Sequence, residues 1–137
     1  EMIWGKIATC AVLVPVQAGA WLLLLGLNGI AVGNIAAILL HASVGGLFLI
    51  LLAAIVALHY RERTSAQFVF STALVVVFLF VMAVPYNPLN LIVRLAVDTA
   101  GPIHWLILAL TAGATVLLGW AATAYAQKIG ESGQKER

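Results

Sequence analysis

Three histidines, His41, His59 and His104, stand out against long aliphatic runs. An ionisable side chain inside a lipid-embedded segment is costly, so each asks for a partner or a function. His41 opens the stretch HASVGGLFLILLAAIVAL, and His104 opens HWLILALTAGATVLLGW. Two imidazoles on facing helices at similar depth can ligate haem iron from opposite sides, and a four-helix core is a usual place for such a cofactor. Ala37, one turn before His41, and Gly45-Gly46, one turn after it, leave a small-residue face where a porphyrin would need room. Thr111 and Thr115 share one face below His104 and can accept or orient polar groups. Arg94 is the cation positioned to pair with a haem propionate. Gln17, mid-span, suits a bridge between helices, a haem edge or a quinone. Pro15, two residues earlier, is expected to kink that helix and free a carbonyl. Met82 is a lesser axial candidate.

The same residues admit plainer roles. An intramembrane histidine can hydrogen-bond a neighbouring helix, an interaction worth about 1 kcal/mol or less. Gly45-Gly46 can serve close helix packing, and His104 beside Trp105 can be an interfacial residue. Hydropathy also sets His104 shallower than His41 by several residues, roughly 6–8 Å at the helical rise. His59 follows His41 by 18 residues, five whole turns, so it shares that face but lies about 27 Å away. Beside Tyr60 and Arg61 it reads as interfacial.

The elements that must hold these residues are set by composition. Of 137 residues, 64% are hydrophobic and 9% charged, against about 25% charged in soluble domains. Too little interior exists at this size to hide so much apolar surface from water. A spanning helix needs about 20 apolar residues, and four such stretches are read at 7–27, 35–60, 68–86 and 103–127, with a short polar tail at 128–137. The expected fold is a single all-α domain, a transmembrane up-down-up-down four-helix bundle joined by short loops. The third loop, 87–98, is longer, reads NPLNLIVRLAVD and is expected to form a short helix in the outer interface.

Orientation follows from basic residues. Lys6, Arg61, Arg63, Lys128, Lys135 and Arg137 fall on one side of such a bundle and Arg94 on the other, six of the seven cations against one. The positive-inside rule then puts both termini in the cytoplasm of a prokaryotic cell, with the chain in the plasma membrane. Trp4, Tyr60 and Tyr125 at one interface, and Tyr86 and Trp105 at the other, suit an aromatic belt. No span carries an acidic residue, which argues against a proton relay or an ion-coupled carrier built on carboxylates. Net charge is +2, spread over termini and loops, so no nucleic-acid partner is expected. The single Cys10 excludes an internal disulfide or a CxxC metal site and reads as a buried, inert thiol. The first span is not expected to be a cleaved leader, being long and without an Ala-x-Ala-like exit.

Four spans with histidines near the outer ends of the second and fourth resemble one half of a haem A synthase, in its compact archaeal form. The stretches VQAGAW, HASVGGLFLILLAAIVALHYRER and IHWLILALTAGATVLLGW carry the resemblance, which extends over nearly the whole chain. It implies His41 and His104 as the axial pair. The catalytic half of that family has Glu three residues before the second-span histidine, where this chain has Ile38. The outer-loop cysteine pair is replaced by NGIAVGN. The chain is thus more similar to the cofactor-holding half than to the methyl-oxidising one. The expectation is a b-type cytochrome holding one haem b by bis-histidine ligation, passing electrons in or beside a respiratory complex. Its partners would be lipid, other membrane subunits or further copies of itself, and a quinol or redox protein. Two alternatives stay open: a cofactor-free accessory subunit of a membrane complex, and an oxidoreductase of the haem A synthase type.

Overall fold

The computed structural model describes the backbone of residues 2–60 and 62–135, and side chains within 5–129 except those at 61 and 80. Arg61 and Arg137, and the side chains of Trp4 and Lys135, which enter the orientation argument, lie outside the described set. Five helices account for nearly all of it: α1 (Met2–Leu27), α2 (Ile35–His59), α3 (Arg63–Ala83), α4 (Pro88–Ala96) and α5 (Pro102–Lys135). All but α4 contain a segment long and apolar enough to cross a membrane.

Local chemistry explains the helix ends. α3 begins five residues earlier than hydropathy suggests, because Arg63, Thr64 and Ser65 form its first turn. The Ala66 amide donates to the Glu62 carbonyl, and the Ser65 hydroxyl to the Glu62 carboxylate. α3 stops at Ala83, before the expected 86, because Pro85 forces the preceding Val84 into extended backbone. Pro102 occupies the first turn of α5, where a missing N–H costs nothing. That helix then runs through the polar tail to Lys135. Pro15 lies inside α1 without ending it.

α2 is the hub. It packs along α1 and α5 and touches α3 and α4 less, while α4 also packs on α5. α1, α3 and α5 make at most marginal contact with one another among the described residues. Between α2 and α5 the Thr115 hydroxyl reaches the Val44 carbonyl, Leu51 lies against Gly119, and His59 meets Tyr125. These pairs advance together along both helices, so α2 and α5 run in the same direction. α1 sits so close to α2 that a Cβ on Gly46 would lie 2.6 Å from Val14 Cγ1. The absent side chain is what permits that approach.

The core is concentrated at one end. Leu91 and Leu95 of α4 are completely buried against Ile38 of α2, with Ile107 and Leu108 of α5 packed around them. The third loop does contain the expected short helix, but its apolar stripe is buried in protein. α4 wedges between α2 and α5 and closes that end of the molecule.

Candidate functional site: the histidine cluster under α4

The α4 end gathers most of the buried polar groups described in the molecule. His41, Asn87 and His104 are all more than nine-tenths buried there, and Thr115 follows one helix face further in. α4 is held in place by caps on both sides. The Asn87 carbonyl oxygen of the side chain accepts from the Asn90 amide at 2.7 Å, and its NH2 donates to the Val84 carbonyl at 2.8 Å. Pro88 follows at the first helical position, a strong helix-start combination. At the other end of α4 the Gly33 amide donates to the Ala96 carbonyl at 2.8 Å. Asn34 Nδ2 donates to Asp98 Oδ1 at 2.6 Å, and both residues have left-handed backbone, φ 46° and 55°. Asn and Asp tolerate that region better than other non-glycine residues. The first and third loops are therefore clasped to each other.

His41 completes the clasp from within. It lies two turns into α2, as expected, and its Nε2 is 2.9 Å from the Pro88 carbonyl. A carbonyl can only accept, so Nε2 carries the proton and the neutral ring leaves Nδ1 a bare lone pair. That Nδ1 is buried and has no hydrogen-bond partner. His104 works locally. Its Nδ1 accepts from the Gly101 amide at 3.0 Å, and its own amide donates to the Gly101 carbonyl at 2.9 Å. This is the N3-to-N-cap half of a capping box, with imidazole in place of the usual carboxylate or amide and the Gly101 carbonyl, not a side chain, accepting in return. It fixes the proton of His104 on Nε2. Tyr86 meets the ring edge-on at a centroid distance of 6.1 Å.

The remaining candidates disperse. Thr111 bonds back to the Ile107 carbonyl, and Thr115 to those of Thr111 and Val44, so both hydroxyls are spent on helix backbone. Gly45 has open space beside it, whereas Gly46 is the packing glycine. Arg94 is exposed in the last turn of α4, where a cation suits the helix dipole, and forms no ion pair among the described residues. Gln17 is exposed on α1 and joins neither histidine. Met82 is exposed, and so is Cys10, which is therefore not the buried thiol expected.

As placed, these residues do not fit a porphyrin between His41 and His104. Leu91 and Leu95 of α4, packed on Ile38, Ile107 and Leu108, fill the space where α4 meets α2 and α5 at this end. Iron binds an imidazole lone pair: both rings carry their proton on Nε2, and His104 Nδ1 is taken by the Gly101 amide, so a His41–His104 pair would offer only His41 Nδ1. At the other end His59 is not merely interfacial: its Nδ1 lies 2.8 Å from the Tyr125 hydroxyl, tying α2 to α5. Sequence reading missed that pair, and nothing local announces a partner 66 positions away. It also missed the Asn34–Asp98 clasp. The Asn87-Pro88 start of α4 was detectable, since an N-cap residue followed by proline is a helix-start signal.

Comparison with protein-family models, curated proteins and solved structures finds no match for the chain.

Proposed function

We propose that the chain is a structural subunit of a membrane assembly, with His41 and His104 serving as internal latches. The observation that carries this reading is the His41–Pro88 hydrogen bond, which spends the most buried histidine on holding α4 over the end of the molecule. The four spans run up-down-up-down in a prokaryotic plasma membrane with both termini cytoplasmic. The short connections and the six cations that fall on one side support that arrangement. The latch is tested by paired substitution. His41→Ala removes the donor to Pro88 and should lower the melting temperature in detergent, while His41→Gln keeps an N–H donor and should restore part of the loss. Equal melting temperatures for wild type and His41→Ala would sink the latch.

A second reading, a b-type cytochrome with His41 and His104 as axial ligands, is favoured by one observation. His41 Nδ1 is a buried lone pair without a partner, and such an atom is what a metal would find. That reading requires α4 to give up its place between α2 and α5. A haem A synthase-like activity has no further support in the site, since Ile38 is a buried core residue packed on α4.

A further inference from the structure

The side of α1 that turns away from α2 carries a seam of its own. The half-buried positions of α1 include Ile7, Ala11, Val14, Ala18, Leu22 and Leu25, spaced as one helix face packed on α2. A different face repeats with the seven-residue period of a paired helix: Cys10, Gln17 and Leu24, interleaved with Leu13, Ala20 and Leu27. All six are exposed. Gln17 is the thirteenth residue of a 23-residue span, the middle of the hydrocarbon, and its amide makes no hydrogen bond among the described residues. Among the described residues it is the one side-chain amide at such a depth. An amide facing lipid there loses its hydration and gains nothing, whereas polar residues in spans normally bond across helices.

We infer that this face of α1 pairs with α1 of a second copy of the chain, in parallel, with Gln17 meeting Gln17. The inference rests on the reading of the chain as a packing subunit and names its partner. Self-pairing follows from the chemistry of the group. A carboxamide carries both donor and acceptor, so two copies related by a twofold axis satisfy each other without any further residue. Two copies inserted the same way round put that axis along the membrane normal, and the seam then matches itself from Cys10 to Leu27. A single polar residue at one core position of such a seam is also a known way of fixing register and partner number. Small Ala20, one turn from Gln17, lets the two backbones approach there.

Full-length protein in nanodiscs or mild detergent should weigh as a dimer by light scattering. Gln17→Leu should weaken association by about tenfold, the scale of one to two membrane hydrogen bonds, and Gln17→Asn should preserve most of it. Oxidation by a membrane-permeant copper complex should cross-link Cys10 to Cys10 in native membranes. Val12→Cys in a Cys10→Ser background, which moves the thiol off the seam, should cross-link far less. A monomeric wild type, a dimer indifferent to Gln17→Leu, or stronger cross-linking from position 12 would each overturn the pairing. None of these results depends on haem, so a failed dimer leaves the latch reading to be decided by the histidine variants and the spectrum.

Discussion

The two ends of this molecule are held by different means. At the α4 end, two completely buried leucines, a pair of nine-tenths-buried histidines and the Asn34–Asp98 clasp bring α2, α4 and α5 into one packed unit. At the opposite end, a hydrogen bond between exposed His59 and half-buried Tyr125 joins α2 to α5. There α2 and α3 flank an open cleft of about 360 Å³ lined by Ala53, Ala57, Tyr60, Arg63 and Phe70. The contrast teaches that a helix too short to span contributes the best-packed core in the chain. α4 supplies, at one end only, the wedge that fills the gap between two long helices.

That contrast can be broken most forcefully in α4. Leu95→Ala removes a fully buried side chain from the wedge and should cost about 2–5 kcal/mol, read as a lowered melting temperature in detergent. Gly46→Val, which drives a branched side chain into the stiff Val14, should cost about 1–3 kcal/mol of overpacking. It should loosen α1 from α2, detectable as faster proteolysis between the two helices. Asn34→Ala loses the Asp98 bond and puts alanine at a left-handed position, for a cost of about 1–3 kcal/mol. Asn34→Gly keeps the backbone and should lose only the hydrogen-bond share. Tyr125→Phe at the other end should change stability by about 1 kcal/mol or less. A larger loss there than in Leu95→Ala would reverse the ranking of the two ends.

The four apolar helices were legible in the sequence because lipid demands long uninterrupted runs, and their limits were set by features as plain as Pro85 and Pro102. The short helix in the third loop was legible too, from the amphipathic stretch after Asn87-Pro88. Its destination was not. An apolar stripe on nine residues suits an interface or a protein groove equally well, and only the gap between α2 and α5 decides. The histidines show the same limit. Their shared end was readable from hydropathy, but the atom each ring addresses depends on backbone 47 residues away for His41 and three residues away for His104. Gln17 suits a bridge between helices, a haem edge or a quinone by sequence, and among the described residues of one copy it bridges nothing.

The most direct test of the account is the visible absorption spectrum of protein purified from haem-replete cells. With α4 wedged between α2 and α5 and both Nε2 atoms protonated, the preparation should be stably folded and colourless. A Soret band with sharp reduced α and β bands, lost in both His41→Ala and His104→Ala, would contradict it and make the two latches ligands.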